Sequence, residues 1–352
     1  MIRILAGTIA RQHPDTLKAH LDSMLWQVAP GVQIDLCYVD DSAPEHAEAN
    51  RDHFLGANVR LLEPPPRPDG ATYRVTQSTH EWAVPTFHHL ARAKQLLFDL
   101  ALGERYDAVW LVDSDLICAP DTLRSLLSTS KDIVSGVFWT RWTPEESPLP
   151  QVWVQHPYGF EGGGWTQSDF LSRLLDRELV RVRGLGACTL ITKQALERGA
   201  AFWPLIDGLP EHGMWQGEDR HFCVRAERLH LEMWADAWPR IFHCYRPHDR
   251  DALPRVLDAL SATESTEAVR DGDWVSLSIE PCEDPALALH AEHVRGRLGM
   301  LKVAPEIEST LRGMKIGDAR FVQAHFDHSH PIPTYRNQRK TFRVTLHSAR
   351  NP

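Results

Sequence analysis

Apolar runs and amphipathic stretches alternate through the first 140 residues of the chain. Apolar runs at 2–6, 32–39, 106–112 and 132–138 predict strands. Between them, apolar residues spaced by three and four predict a helix through Leu17–Leu25, another over 85–102, and a third capped near Asp121. Gly7-Thr8 is predicted to turn the chain after the first strand. Strands alternating with helices at this spacing predict an α/β domain, with a mostly parallel sheet and helices on both faces.

The run 106–112 (YDAVWLV) is apolar almost throughout, which is typical of a central strand buried on both faces. It stops at Asp113-Ser114-Asp115, so two carboxylates follow the carboxyl end of a strand, the edge where open parallel sheets bind ligands. Carboxylates at positions i and i+2 can bind one Mg²⁺ or Mn²⁺, which also accepts phosphate oxygens. The alternative is that Asp113 caps a turn and Asp115 is solvated.

Acidic and basic candidates flank this strand. Asp40 and Asp41 follow the strand 32–39, where a carboxylate could accept hydrogen bonds from a base or a ribose; a polar turn is the alternative. Arg92 and Lys94 lie on the helix 85–102. Either they meet a diphosphate or they belong to a solvated helix face.

Two further candidates lie near residue 230. Glu218 and Asp219 begin a predicted helix over 217–229, which suits the helix dipole, and one of them could act as a general base. His243 stands in the apolar segment IFHCY (241–245). It is either a satisfied core residue or an imidazole ligand that completes a metal site.

The remaining pattern divides the chain. Residues 139–183 are rich in Trp, Pro and Gly, and the tryptophans form either an acceptor cleft or part of the core; they are Trp139, Trp142, Trp153 and Trp165. A strand is predicted at 184–192 and a strand–turn–strand at 232–243. We predict a domain over 1–250, a charged helix and linker over 251–268, and a strand-rich α+β domain over 269–352.

Composition excludes several classes of protein. The 352 residues are 43% hydrophobic and 24% charged, which is typical of a globular protein. The net charge of −9 lies in residues 1–260, since residues 261–352 hold 12 basic and 12 acidic residues. A negative net charge disfavours general binding to nucleic acids or anionic lipids. No run is long enough to span a membrane, and the amino-terminal stretch is unlike a signal peptide, so we expect a cytoplasmic protein. The six scattered cysteines form no C-x-x-C pair and are expected to be buried thiols.

Seven segments together resemble the GT-A fold glycosyltransferases, in particular the bacterial family-2-type enzymes and more loosely the Anp1-like mannosyltransferases. They occur in the order found in that family and cover roughly residues 1–250. The segments are AGT (6–8), VDDS (39–42), ARAKQ (91–95), WLVDSD (110–115), GLGACTLIT (184–192), GEDRHF (217–222) and IFHCY (241–245).

The resemblance implies a metal-dependent transferase that moves a sugar from a UDP- or GDP-linked donor to an acceptor hydroxyl. It implies Mn²⁺ or Mg²⁺ as the cofactor and a glycan, small molecule or polypeptide as the acceptor. An inverting reaction with an aspartate base is expected; in a retaining enzyme Asp219 would only orient the acceptor. The implied roles are base and ribose binding by Gly7, Thr8 and Asp40 or Asp41, diphosphate binding by Arg92 or Lys94, ribose and metal binding by Asp113, metal binding by Asp115 and His243, and base catalysis by Asp219 beside Glu218.

The carboxyl-terminal segments 304–326 (APEIESTLRGMKIGDARFVQAHF) and 340–348 (KTFRVTLHS) resemble the second half of an FKBP-type domain, a family that includes the trigger-factor isomerase module. Val303 and Phe342 match pocket positions of that family. Ile307 stands where the family has its floor tryptophan, and no Phe-Asp pair occurs in 280–300. We therefore predict an accessory binding or dimerisation module, with a homodimer as one outcome, in place of a prolyl isomerase.

Two alternatives to a glycosyltransferase stand beside this prediction. A nucleotidyltransferase typically has a Gly-rich loop with Lys or Arg after its first strand, whereas AGTIARQ holds only Gly7 and Arg11. An inactive transferase fold could instead serve as a peptide-binding scaffold through its tail. The intact acidic residues and His243 favour an enzyme over that scaffold.

Overall fold

The computed structural model describes residues 1–77, 79–143, 145, 147–154, 167–209, 217–261, 268–271, 273–282, 292–301, 303–326 and 338–350. The chain divides into two compact units. The first contains Met1–Leu175 and Leu179–Ser261, and the second contains Asp176–Glu178 and Ala262–Pro352.

The first unit alternates strands and helices. Its strands are β1 (Ile2–Ala10), β2 (Val32–Asp40), β3 (Arg60–Leu62), β4 (Tyr73–Val75), β5 (His80–Trp82), β6 (Ala108–Val112), β7 (Leu116–Cys118), β8 (Ile133–Gly136), β9 (Trp139–Thr140), β10 (Leu149–Pro150), β11 (Val152–Trp153), β12 (Leu179–Val182), β13 (Gly184–Leu185), β14 (Cys188–Thr192), β15 (Met233–Asp236) and β16 (Ile241–His243). Its helices are α1 (Pro14–Leu25), α2 (Ala47–Ala57), α3 (Val84–Gly103), α4 (Thr122–Ser128), α5 (Gln167–Leu175), α6 (Lys193–Glu197), α7 (Glu218–Arg228), a 3₁₀ helix (Pro247–Ala252) and α8 (Leu253–Ser261).

The central sheet has eight strands in the order β12-β15-β8-β14-β6-β1-β2-β3. Six strands run in one direction, while β14 and β12 are antiparallel to their neighbours. The predicted α/β class with a mostly parallel sheet is therefore confirmed. Since β6, β1 and β2 are adjacent and parallel, their carboxyl ends meet at one edge of the sheet.

Strand β6 is buried on both faces, as its apolar sequence predicted. Val109 and Leu111 join one core cluster, and Trp110 and Val112 join another on the opposite side of the strand. Helix α3 contributes Leu97 to the first cluster. The strand that carries the D-x-D turn is thus held by packing on both sides.

Three sequence predictions about the first unit differ from the structure. The turn expected at Gly7-Thr8 is wrong, because β1 continues to Ala10 and Gly7 pairs with Cys37 on one side and Leu111 on the other. The strand expected over 184–192 is interrupted between β13 and β14. Helix α2 and the β4–β5 hairpin were not predicted.

Helix α8 lies within the segment 251–268, which the sequence assigned to a charged helix and linker. Leu253 and Leu260 of α8 lie in one apolar cluster with Ala19 of α1 and Ile117 of β7. The polar residues of 246–261 therefore belong to a packed helical segment of the first unit.

In the residues that the structure describes, the second unit is a four-stranded antiparallel sheet with one helix. Strands β17 (Trp274–Pro281), β18 (Glu292–Arg297), β19 (Ala319–Phe326) and β20 (Gln338–Arg350) lie in the order β18-β17-β20-β19, and α9 (Pro305–Leu311) precedes β19. Ile307 and Phe342, two positions compared with the FKBP pocket, are buried in the core of this unit. Its relation to FKBP-type domains stays a prediction.

Across the described ranges, no helix is both long enough and apolar enough to cross a membrane.

Candidate active site

A cavity of about 590 Å³ opens at the carboxyl edge of the central sheet. Its wall is built from residues that follow β1, β2 and β6, from the first turns of α3 and α7, and from the β4–β5 hairpin. Asp113, Asp115, Glu218, Asp219 and His243 all line it. Residues separated by 130 positions in the chain therefore share one cavity, because β6 ends here, α7 begins here, and pairing with β7 brings β16 beside the D-x-D turn.

The D-x-D turn is fixed by backbone hydrogen bonds from two other segments. The Asp113 amide donates to the carbonyl of Ala187 at 2.8 Å, and the Cys244 amide donates to the carbonyl of Asp115 at 2.9 Å. Ala187 directly precedes β14, and Cys244 directly follows β16. The turn is consequently held from both sides.

Asp115 contacts His243, which β16 positions by pairing antiparallel with β7. His243 Nε2 lies 3.3 Å from Asp115 Oδ2, and a hydrogen bond of 2.7 Å joins His243 Nδ1 to Thr140 Oγ1. Burial raises the pKa of Asp115, but the charge and hydrogen bond of His243, with His80 nearby, outweigh it and hold the pKa below its usual value. Asp115 is therefore an anion in this cavity.

Of the three predicted metal ligands, Asp115 and His243 are in contact, whereas Asp113 Oδ1 lies 4.0 Å from Lys94 Nζ. Within the described part of the chain, no three His, Cys, Asp or Glu side chains converge on one metal position. Asp115 Oδ1 is buried without a hydrogen-bond partner among the described residues, and an orphaned carboxylate oxygen in a cavity wall fits a hard cation. The metal site stays a prediction that these donors suit.

Lys94 lies at the base of the cavity and contacts the acidic start of α7. Its ammonium donates to Glu218 Oε1 and to Asp219 Oδ1, each at 2.7 Å, and its side chain is 4% exposed. Burial lowers the pKa of Lys94, but the three carboxylates around it outweigh burial and raise that pKa well above its usual value. Lys94 is therefore a cation that donates its hydrogen bonds to Glu218 and Asp219. The sequence had predicted that it contacts a diphosphate.

Asp219 combines access to the cavity with a raised pKa. Gly217 precedes α7 with a φ of 109°, a conformation that glycine adopts without strain, so the helix begins at the cavity wall. The Asp219 side chain is 30% exposed, whereas Glu218 is buried. Burial, followed by the charge of Glu218, raises the pKa of Asp219 to about 6 against the opposing effect of Lys94. A carboxylate with such a pKa can accept a proton near neutral pH.

Asp41 lies at the other end of the cavity among basic side chains. Arg67 forms an ion pair with Asp41 Oδ2, Arg11 Nη1 lies 3.8 Å from the same oxygen, and His89 Nε2 lies 3.2 Å from Oδ1. Burial raises the pKa of Asp41, but His89 and Arg67 outweigh it and hold that pKa low. Asp40, by contrast, accepts a hydrogen bond from the Ser42 amide at 3.1 Å and is not part of the cavity wall.

Three other predicted ligand-binding residues lie away from the cavity wall that the described residues form. Gly7 is inside β1, where an added Cβ would come within 2.8 Å of Leu97 Cδ1. Thr8 is buried, with its hydroxyl 3.4 Å from His20 Nε2. Arg92 stacks on Trp203, with its guanidinium carbon 4.3 Å from the ring centroid. The ligand contacts expected of Gly7, Thr8 and Arg92 thus have no counterpart in this geometry.

Sequence reasoning missed two parts of the cavity wall. Arg11 and Arg67 were not recognised as site residues, because the first follows a strand that was predicted to end earlier and the second stands in a Pro-rich stretch without a helix or strand pattern. An aromatic wall was missed as well. It consists of Tyr73, His80 and Trp82 of the hairpin, Phe87 of α3, and Tyr245.

Tyr245 ties the hairpin to the segment after β16. The rings of His80 and Tyr245 stack with centroids 4.0 Å apart, and the hydroxyl groups of Thr79 and Tyr245 lie 3.1 Å apart. The available sequence signal was limited to two short alternating segments, Tyr73-Arg74-Val75 and His80-Glu81-Trp82.

The tryptophans proposed for an acceptor cleft separate into two groups. Trp142 lines the cavity and contacts Tyr245 edge-on, with ring centroids 5.6 Å apart. Trp139 and Trp153 pack against the core of the first unit. Trp165 lies outside the described residues.

No protein-family description matches this sequence, and no curated protein matches it. Among solved structures, the chain is similar to TarS 1-349 of S. aureus, with 13% identity and a TM-score of 0.41 over 74% of this chain and 65% of that one. It is also similar to the mannosyltransferase PcManGT from Pyrobaculum calidifontis, determined with GDP-Man and Mn²⁺, with 14% identity and a TM-score of 0.35 over 68% and 57%. A mycobacterial protein shares 16% identity at a TM-score of 0.37 over 84% of both chains.

The chain spans less than two thirds of the length of TarS 1-349 and of the mannosyltransferase. Since these likenesses are distant, the function has to be argued from the cavity itself.

Proposed function

We propose that the first unit is a GT-A-type glycosyltransferase that moves a sugar from a nucleotide-diphospho-sugar to an acceptor hydroxyl. The observation that carries this proposal is the meeting, in one cavity, of a D-x-D turn that follows a buried central strand and an acidic helix start with a raised carboxylate pKa. The first arrangement suits a metal-bound diphosphate and the second suits a proton acceptor.

The donor's nucleoside is proposed to lie toward Asp41, with Arg11 and Arg67 as additional donors of hydrogen bonds. Strands β6, β1 and β2 lie in that order in the sheet, so Arg11 follows the strand next to the D-x-D strand and Asp41 follows the strand beyond it. Neighbouring strands are about 5 Å apart, so the distance along this edge suits a nucleotide whose diphosphate lies near Asp113 and Asp115. UDP- and GDP-linked sugars are the candidate donors.

Asp115 and His243, together with Asp113, would hold Mn²⁺ or Mg²⁺. When bound, such an ion neutralises the charge that develops on the leaving diphosphate. Asp115 supplies an ionised carboxylate with one free oxygen, and Thr140 fixes the ring of His243 through Nδ1. The hydrogen bond to Thr140 leaves His243 Nε2 directed at Asp115.

Asp219 is proposed as the general base of an inverting reaction. It takes the proton of the acceptor hydroxyl as the hydroxyl oxygen attacks the anomeric carbon and the nucleoside diphosphate departs. A base of this kind contributes on the order of 10²–10⁴ to the rate. Glu218 is buried against Lys94 and supports the start of α7 without reaching the reacting atoms.

The acceptor is proposed to bind against the aromatic wall and Trp142, which line the cavity. Aromatic faces pack well on sugar rings, which favours a glycan or glycoside over a small polar acceptor. The second unit is proposed as an accessory binding or dimerisation module, and light scattering of the purified chain tests the dimer.

A thermal-shift panel tests the proposed function. UDP, GDP, CDP and TDP are each added with and without Mn²⁺ to the wild type and to Asp115→Ala. We expect one nucleotide to raise the melting temperature of the wild type in the presence of Mn²⁺, because a ligand that binds only the native state stabilises it, and we expect Asp115→Ala to lose that shift. Absence of any nucleotide-dependent shift would contradict an active transferase.

A further inference from the structure

Lys94 of α3 lies where acidic residues from two other segments meet. Its ammonium is 2.7 Å from both Glu218 Oε1 and Asp219 Oδ1, and 4.0 Å from Asp113 Oδ1. Glu218 and Asp219 begin α7, while Asp113 follows β6. One side chain therefore joins a long helix, the acidic helix start and the D-x-D turn.

Apolar side chains surround much of Lys94, so packing alone does not explain why this buried position holds a charged residue. Its ammonium lies 5.0 Å from the ring centroid of Phe202, and Leu111 and Phe222 line the same small space of about 10 Å³. Burying an ammonium carries a desolvation penalty of several kcal/mol. A methionine would fill a similar volume without that penalty, so the charge has to be explained by the carboxylates.

The contact with Lys94 distinguishes the two oxygens of Asp219. Oδ1 accepts the hydrogen bond from Lys94, whereas Oδ2 has no hydrogen-bond partner in the described part of the chain. Oδ2 lies beside Gly186, where an added Cβ would come within 3.9 Å of it, and Gly186 itself lines the cavity. Holding Oδ1 thus leaves Oδ2 at the cavity wall.

We propose that Lys94 is a positioning residue for Asp219: it fixes one carboxylate oxygen so that the other faces the acceptor, and it offsets the mutual repulsion of three neighbouring carboxylates. This proposal rests on the proposed function, since it requires Asp219 to be the base. It replaces the diphosphate contact that the sequence suggested for this lysine. Lys94 itself touches no reacting atom.

The test compares Lys94→Met with the wild type, with Lys18→Met as a matched control on the exposed face of α1, where Lys18 pairs with Asp22. The reaction measured is release of nucleoside diphosphate from UDP-glucose, UDP-N-acetylglucosamine or GDP-mannose, with water as the acceptor and Mn²⁺ present. Donor affinity is measured by calorimetry. Each substitution is also made in an Asp219→Asn background.

We expect Lys94→Met to lower kcat by about 10- to 100-fold, part of the contribution of a general base. Affinity for the donor should change by less than about threefold. In the Asp219→Asn background, Lys94→Met should lower kcat by no more than about twofold, because residues that act as a unit are not additive. Lys18→Met should leave every measured quantity unchanged.

A second readout requires no substrate. Removing Lys94 leaves Glu218 as an uncompensated buried charge, so the melting temperature of Lys94→Met should fall and should recover in part when Glu218→Gln is added. If Lys94→Met does not fold, Lys94→Arg serves for the same kinetic comparison. Its guanidinium keeps the charge but displaces the carboxylate, so kcat should fall while donor affinity is retained.

Three results would overturn the positioning role. These are an unchanged kcat, an equal loss of kcat in both backgrounds, or a loss of donor affinity at unchanged kcat, which would make Lys94 a ligand of the diphosphate. If the wild type neither binds nor cleaves any of the donors, the proposed function fails and the role of Lys94 fails with it. Any of the three results with an active wild type rejects the role of Lys94 alone.

Discussion

At the scale of single residues, the cavity is organised by which cation each carboxylate contacts. Asp41 is paired with arginines, Asp115 with His243, and Asp219 with Lys94. The first two have lowered pKa values, whereas burial keeps the pKa of Asp219 raised to about 6. The carboxylate that is proposed to take up a proton is therefore one whose affinity for protons is increased, and burial also raises the pKa of Asp113 in the D-x-D turn.

The raised pKa of Asp219 predicts how activity depends on pH. A base is active when deprotonated, so kcat/KM for donor cleavage should rise about tenfold per pH unit below pH 6 and level off above it. The measurement is a pH–rate profile of the free enzyme between pH 4.5 and 8. Asp219→Asn serves as the control and should lack the rising limb centred near pH 6. A wild-type profile without that limb would exclude Asp219 as the base.

The lowered pKa of His20 predicts that the folded state loses stability at acidic pH. It is fully buried in α1, with Nδ1 2.8 Å from the carbonyl oxygen of Leu116, and burial lowers its pKa to about 4. Between pH 6.5 and 4 the unfolded chain binds a proton at this position that the folded chain does not, so stability falls as pH falls through that window. From pH 7.5 to pH 5 the loss from this residue is on the order of 2 kcal/mol, at about 1.4 kcal/mol per unit.

Urea denaturation at pH 7.5 and pH 5 measures that loss. His20→Gln keeps polar atoms at this position but does not titrate, so its stability should fall less over the same interval than that of the wild type. The same slope in both proteins would assign the acid sensitivity to other groups.

At the scale of elements, close packing between short strands shapes the region beside the cavity. Gly184 of β13 pairs with Trp153 of β11, and a Cβ on Gly184 would lie 1.6 Å from Trp153 Cε2. Gly56 of α2 has no atom within 4 Å of the same position. A side chain at Gly184 would therefore collide with Trp153, whereas a side chain at Gly56 has open space around it.

Alanine substitutions at these glycines should change stability in opposite directions. Gly184→Ala forces the indole of Trp153 to move and should destabilise the protein by about 1–3 kcal/mol. Gly56→Ala gains helix propensity in open space and should stabilise it by up to about 1 kcal/mol. Urea denaturation of both variants against the wild type decides this, and a neutral Gly184→Ala would mean that Trp153 has room to move.

The elements that the sequence predicted well are those with long apolar or periodic patterns. Helix α3 and strand β6 were found within two residues of their ends, because both are held by packing that their patterns reveal. The turn at Gly7 was wrong because a glycine inside a strand is required there by Leu97, a contact made across 90 residues. Local sequence carries no record of such a contact.

The sequence predicted the acidic residues and His243 of the candidate site better than its arginines and its lysine. Asp113, Asp115, Asp219 and His243 stand next to apolar strands or helix starts, which marks them in the sequence. Lys94 was predicted either to contact a diphosphate or to lie on a solvated helix face, and only the fold shows the carboxylates around it. The aromatic hairpin is an insertion between β3 and α3 with short strands, and such strands give weak patterns.

At the scale of the whole molecule, the two units have separate cores. Among the described residues, the core of the second unit is formed from Val269 onward, and none of these residues belongs to a cluster of the first unit. Each unit therefore buries its own apolar surface. Unfolding of the chain is not expected to be a single two-state event.

Substitutions in each core should affect separate thermal transitions. Leu346 of β20 and Leu97 of α3 are fully buried, and truncation of such a leucine costs about 2–5 kcal/mol. In differential scanning calorimetry, Leu346→Ala should lower one transition and Leu97→Ala the other. If both variants lower the same single transition, the units unfold as one.

The pairing of β16 with β7 has a consequence for the order in which the site can be made. His243 and Tyr245 reach the cavity only because residues 241–243 pair antiparallel with 116–118, more than 120 positions earlier in the chain. On a ribosome the amino-terminal strands emerge first, and domains begin to fold during synthesis. A nascent chain that ends before residue 241 therefore has the D-x-D turn and the acidic helix but lacks His243. The proposed site is complete only after β16 has been synthesised and has paired with β7.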